Sequence, residues 1–348
     1  MKKYRIIRIL AALLFSACLL AGCTKAPNAE KGGSAGAKKS IVVTIFPEYD
    51  WVMNILGDKA SEADVTMLLD SGVDLHSYQP TAMDMAKISG CDIFMYVGGE
   101  SDEWAKDALA SSINKDMQVL NLLEILGDKV KEEEIKEGME HDHEHVDGEH
   151  ENEDGDEDHD HEHHHEEDEI EYDEHVWLSL KNTSVICEAI ESALEKIDPE
   201  NKDIYKANCE EYKQKLSDLD SRYSETVSAG ETKTLLFGDR FPFRYLIDDY
   251  GLDYYAAFVG CSAESEASFE TIVFLSGKMD ELGLKHVMTI ESSDGKIADT
   301  IIQNTGSKEQ DILVLDSMQS VTSNDVKNGE TYLGVMEKNL EVLKKALN

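Results

Sequence analysis

Nine of the twelve histidines fall within the 25 residues that run from His141 to His165. They are His141, His143, His145, His150, His159, His161, His163, His164 and His165, interleaved with Asp and Glu. Neutral imidazole is a good zinc ligand near neutral pH, and carboxylates around it raise the local cation concentration and hold outer partners. A solvated, charged tract without metal is the competing reading, but random acidic disorder seldom gathers histidine so densely. The tract is internal and mixed with acid, which also sets it apart from a purification tag. Flexible ligands must be ordered at every binding event, so the tract is expected to take several ions weakly and release them quickly.

A site that retains an ion has to come from the isolated histidines, His76, His175 and His286. His76 sits in Asp74-Leu75-His76-Ser77-Tyr78-Gln79-Pro80, after a predicted strand and before a predicted helix. Ligands of α/β folds gather in crevices beyond the carboxyl ends of strands. His175 lies in Asp173-Glu174-His175-Val176-Trp177-Leu178, where the charged tract re-enters the fold. His286 opens a strand and reads as structural. Local spacing alone leaves His76 and His175 open between ligand and satisfied polar residue. Cys91, Cys187 and Cys209 match neither a CxxC zinc site nor a dense disulfide framework, and read as buried small hydrophobes.

The elements that must position these groups follow from pattern. Short apolar, β-branched runs at 41–46, 63–69, 92–97 and 117–120 alternate with helical stretches at 81–89 and 102–112. A second set, at 234–237, 252–256, 286–290 and 311–315, alternates with helices at 243–250, 269–282 and 332–347. This is the pattern of two Rossmann-like α/β lobes with parallel sheets, spanning 41–197 and 230–348. Between them, Asp198-Pro199-Glu200 looks like a helix start, and no breaker follows to about residue 228. A connecting helix over 198–229 would extend about 45 Å, as a rigid rod between the lobes. Residues 131–174 hold 24 Asp and Glu against two Lys, a net −22. With almost no apolar content they are expected to form a disordered loop inserted in the first lobe.

The N-terminus carries Lys2, Lys3, Arg5 and Arg8 ahead of an apolar run at 9–20, the layout of a secretory signal and too short to span a bilayer comfortably. Leu20-Ala21-Gly22-Cys23 resembles the bacterial lipobox, which implies a signal peptide over 1–22 and a lipid on Cys23. Residues 23–40, rich in Lys, Gly, Ala and Ser, read as a flexible tether. The protein is then expected to be exported, held by its lipid at the outer face of the bacterial cytoplasmic membrane. The formal net charge of −39 argues against nucleic acid as a partner.

From Ile41 to the C-terminus the chain resembles the zinc-type, ZnuA and AdcA-like, substrate-binding lipoproteins of metal ABC uptake transporters. Val73-Asp74-Leu75-His76-Ser77-Tyr78-Gln79-Pro80 looks like the family's first ligand loop, and His175-Val176-Trp177-Leu178 like its second. Residues 198–228 look like its connecting helix and Tyr250-Gly251-Leu252 like its mark early in the second lobe. The resemblance implies two α/β lobes with Zn2+ in the cleft between them, and delivery of that ion to the membrane permease and ATPase of an ABC transporter. The binding protein itself is expected to be a monomer.

One departure stands out. The family commonly has a third histidine about ten residues before the Tyr-Gly-Leu mark, and here that position is Arg240, in Gly238-Asp239-Arg240-Phe241. A guanidinium stays protonated and has no lone pair to give. Other second-lobe donors are therefore required. Glu291 and Asp294, in Glu291-Ser292-Ser293-Asp294, resemble the family's late acidic ligand segment. Cys261, in the loop after a predicted strand, offers a thiolate suited to zinc. Asp239 is a weaker choice, and Glu291 has the alternative of pairing with Arg240.

Three rival functions follow from the same residues. A manganese-type binding protein would want an oxygen-rich octahedral shell, against which the abundance of imidazole speaks. A surface metal buffer or adhesin lipoprotein without transport shares every feature above. A zinc hydrolase would use Glu291 as base, but the chain has no HExxH motif and no nucleophile elbow, and no enzyme is expected.

Overall fold

A computed structural model describes residues 38–139, 171–262 and 266–348. The expected signal peptide over 1–22, the proposed lipid site at Cys23 and the nine clustered histidines from His141 to His165 lie outside the described residues.

Ile41, Val42 and Val43 are buried on strand β1 (Lys39–Val43), as in a parallel sheet covered on both faces. The apolar run then turns at once into helix α1 (Phe46–Leu56), where sequence pattern alone had carried the strand on to residue 46. Pro47 sits in the first turn, and the Glu48 carboxylate accepts from the backbone N–H of Thr44 at 2.7 Å, which fixes the turn. The lobe continues through β2 (Ala63–Met67), α2 (Ala82–Gly90), β3 (Ile93–Tyr96), α3 (Trp104–Ala110), β4 (Gln118–Asn121) and α4 (Leu122–Leu126). Its four strands are parallel in the order β2-β1-β3-β4.

Helices α5 (Leu180–Ile197) and α6 (Lys202–Ala229) lead to the second lobe. At 28 residues α6 is about 42 Å long. Tyr205, Cys209, Tyr212, Leu216, Leu219, Tyr223 and Val227 recur every three or four positions and are all buried, forming one continuous stripe. The tyrosine hydroxyls at its edges tie the helix to both lobes. Tyr212 donates to Asp50 of α1 at 3.2 Å, and Tyr223 to the Met336 carbonyl at 2.6 Å.

The second lobe contains β5 (Thr234–Phe241), α7 (Arg244–Tyr250), β6 (Asp253–Val259), α8 (Phe269–Leu282), β7 (His286–Ile290), α9 (Lys296–Asn304), β8 (Asp311–Leu315), α10 (Ser323–Lys327) and α11 (Tyr332–Ala346). Its order, β6-β5-β7-β8, repeats the first sheet with parallel pairing throughout. Strand β5 runs four residues beyond the expected 234–237 and so takes in Arg240. One apolar core passes from Ile41 of β1 through α5 and α6 to Leu347, with Trp51 and Tyr332 packed edge to face at 5.3 Å between the lobes. A packed core of this kind resists continuous deformation, so the lobes form a stiff pair.

Candidate metal centre

His76 is carried by a single 3-10 turn, Leu75–Ser77, in the connection that follows β2. Asp74 caps that turn by accepting from the His76 backbone N–H at 3.0 Å. His175 stands at the start of a second 3-10 turn, Val176–Leu178, and is wholly buried. The Asp173 carboxylate accepts from the His175 backbone N–H at 2.8 Å and lies 3.0 Å from its Nδ1. An ionised carboxylate only accepts, so Nδ1 of His175 carries the proton and Nε2 keeps its lone pair.

The two Nε2 atoms face each other at 3.3 Å, and Nδ1 of His76 lies 2.7 Å from Ser101 Oγ. Two tautomers fit this geometry. In one, His76 donates Nε2–H to His175. In the other it donates Nδ1–H to Ser101, and both Nε2 lone pairs point to one spot. Two nitrogens bonded at 2.0–2.1 Å to a tetrahedral zinc lie about 3.3–3.4 Å apart, so the second tautomer suits that ion without moving either ring. Burial, with the neighbouring His175, pushes the His76 pKa down to about 3, which keeps the imidazole in its metal-binding neutral form.

From the second lobe, Cys261 joins the pair. Its Sγ and one ring nitrogen from each histidine lie within 4.8 Å of one another. A thiolate and an imidazole sharing a tetrahedral zinc are about 3.6 Å apart, so a shift of at most roughly an ångström completes the set. The loop comes this close because residue 260 is glycine. A Cβ there would stand 2.9 Å from the Phe241 carbonyl and 3.1 Å from Cε1 of His175. Burial, with Glu133, Asp173 and Glu174 nearby, pushes the Cys261 thiol upward. It would ionise when a cation arrives and release its proton.

The other second-lobe candidates lie elsewhere. Glu291 accepts from the Ser317 N–H at 2.8 Å, the Ser317 hydroxyl at 3.0 Å and the Gln319 N–H at 3.1 Å, so its oxygens hold the loop after β8 and do not pair with Arg240. Asp294 is exposed and paired with Lys296. The Asp239 carboxylate accepts from the Arg240 N–H at 2.9 Å. His286, at the start of β7, is half-buried and apart from the cluster. Arg240 reaches across the cleft to Asp74, the residue that caps the His76 turn. Burial is the largest single influence and would raise Asp74, but the Arg240 charge, His76 and the hydrogen bonds from both together hold its carboxyl below the usual range.

Sequence reasoning passed over Asp173, Ser101 and Gly260, which orient donors without being donors. Asp173 was hidden among the acids of the charged tract, although its place two residues before His175 is a signal in retrospect.

Paired parallel four-stranded sheets, a long helix between them and donors meeting at strand ends in the cleft define a two-lobed solute-binding protein. Residues 41–346 match the family described as zinc-uptake complex component A, periplasmic (ZnuA), and the chain belongs to it. It is 30% identical over 316 residues to the zinc-binding protein AdcA of Streptococcus pyogenes, covering 89% of this chain and 56% of that protein. The chain thus spans little more than half of that relative. With the high-affinity zinc uptake system protein ZnuA of Bacillus subtilis it shares 30% identity over 346 residues, with 99% and 98% covered. The crystal structure of the Zn(II)-bound ZnuA-like domain of Streptococcus pneumoniae AdcA superposes with a TM-score of 0.65 at 27% identity, covering 89% of this chain and 99% of that one. The lipoprotein YcdH of Bacillus subtilis gives 0.67 at 27% identity, with 89% and 99% covered.

Proposed function

We propose that this chain captures Zn2+ between its lobes with His76, His175 and Cys261 and delivers it to an ABC permease for high-affinity uptake. The observation that carries the reading is the pair of facing Nε2 atoms at 3.3 Å, each ring held from behind, with a cysteine sulfur within reach. Zinc accepts nitrogen and sulfur together, whereas manganese favours oxygen, so the thiol strengthens the choice of zinc. Family membership and the names of the relatives agree with it. The protein acts as a binding protein and not as a catalyst.

Residues 1–22 serve as signal peptide, Cys23 carries the lipid, and 23–40 tether the binding body beside its permease. The histidines at 141–165 collect ions for the cleft. Because the lobes share one core, occupancy is signalled by small shifts near the cleft and not by a wide swing. Metal analysis and chelator competition on the chain and on His76→Ala, His175→Ala and Cys261→Ser test the site. One tight zinc, lost in each variant but kept when 141–165 are deleted, is the expected result. Tight binding indifferent to both histidines would refute it.

A further inference from the structure

Next to the histidine pair lies a polar cavity of about 280 Å³ whose wall includes His76, Cys261, Glu133, Glu171, Glu174 and Tyr172. No Lys or Arg lines it among the described residues. Glu174 is the informative group. Its side chain is only 3% exposed, and Oε1 accepts from the Ser101 N–H at 2.9 Å, whereas the buried Oε2 accepts no hydrogen bond and lies 3.6 Å from Nδ1 of His76. A carboxylate oxygen removed from water without a hydrogen bond is costly, and a cation beside it would offset that cost.

The other carboxylates are held by the backbone. The Glu133 N–H donates to the Glu171 carbonyl and the Asp173 N–H to the Lys131 carbonyl, both at 2.9 Å, and Glu132 bridges Tyr172 in antiparallel fashion. Short pairing therefore fixes the two segments that present Glu133 and Glu171. Glu133 also accepts from the Cys261 N–H at 3.3 Å, which sets it against the thiol loop.

We infer that this cavity is a second cation site, an oxygen-donor vestibule in which a divalent ion exchanges water for carboxylate before passing to the nitrogen and sulfur donors. The inference rests on the proposed metal function of His76, His175 and Cys261. His76 and Cys261 border the vestibule and belong to the cluster, so the two sites adjoin through shared residues. Carboxylates hold an exchanging ion loosely, whereas imidazole and thiolate retain zinc. The division of labour is thus entry by oxygen and retention by nitrogen and sulfur.

Terbium(III) is a suitable probe on the full chain, since it seeks oxygen donors and emits when a tyrosine beside it is excited. Tyr172 is on the cavity wall, and residues 140–170 contain no Tyr or Trp. Sensitised emission should saturate in the wild type, shift to at least about tenfold higher terbium in the Glu133→Gln/Glu171→Gln double variant, and vanish in Tyr172→Phe. Zinc capture from a fluorescent chelate should slow in the double variant by more than zinc release changes. Emission that titrates identically in the wild type and the double variant would overturn the vestibule, as would an unaltered capture rate. His175→Ala separates the two proposals, since His175 is not among the residues lining the cavity: it should keep the terbium signal and lose tight zinc. Retention of tight zinc in that variant would count against the cleft site, whatever terbium does.

Discussion

The two walls of the cleft are built on different principles. On the first-lobe wall, both histidines are engaged at each end of the ring, Nδ1 against Ser101 or Asp173 and Nε2 toward the partner ring. On the second-lobe wall, Glu291 and Asp239 are used up in holding loops, and Arg240 spends its charge on Asp74. Among the described residues, Cys261 is the candidate left on that wall for the proposed site, on a loop that passes His175 through Gly260. The contrast teaches that a preorganised pair of donors can tolerate a divergent opposite wall, provided one matching donor arrives from it.

Variants on each wall can break or sharpen this comparison. His175→Ala should have the largest effect, since it removes a fully buried donor. Zinc affinity in chelator competition should fall by more than the 10–100-fold usual for loss of an outer partner. Asp173→Asn should come next, at about 10–100-fold, because an amide can donate to Nδ1 and turn the Nε2 lone pair into an N–H.

Arg240→Met should cost less, about fivefold, the scale of roughly 1 kcal/mol for a partly exposed ion pair. Its action is indirect, through Asp74 and the turn that carries His76. The same measurement in Asp74→Asn and in the double variant should therefore give effects that do not add.

Zinc affinity should change least in Glu48→Gln, which instead reports on acid stored beneath the first-lobe wall. Burial, with Asp102 nearby, raises Glu48 from 4.5 to about 8, and burial raises Asp102 from 3.8 to about 7. Between their ordinary and raised values the folded chain binds more protons than the unfolded chain. Stability should therefore fall as pH rises from about 4 to about 8 and level off above that. Denaturant midpoints across this range should show the decline, with a shallower slope in Glu48→Gln.

The first-lobe wall was legible in the sequence because the chemistry was scarce. Outside one tract only three histidines exist, and two of them fall at strand or loop boundaries. The α6 helix was equally legible from an unbroken run of helix formers with a 3–4 residue apolar stripe. The second wall was harder to read. Nothing local distinguishes a carboxylate that binds metal from one, such as Glu291, that accepts from backbone donors 26 residues away. Helix α1 was missed for a related reason, since its buried Phe46, Trp51 and Ile55 continue the apolar character of β1 and only Pro47 marks the change. Sequence pattern records which residues avoid water. Which neighbour uses a polar atom is decided by the fold.

X-ray absorption at the zinc edge, on protein loaded with one equivalent, tests the central claim most directly. A shell with nitrogens at about 2.0–2.1 Å and a single sulfur at about 2.3 Å, the sulfur absent in Cys261→Ser, is the predicted result. A shell of nitrogen and oxygen alone in the wild-type protein would contradict it.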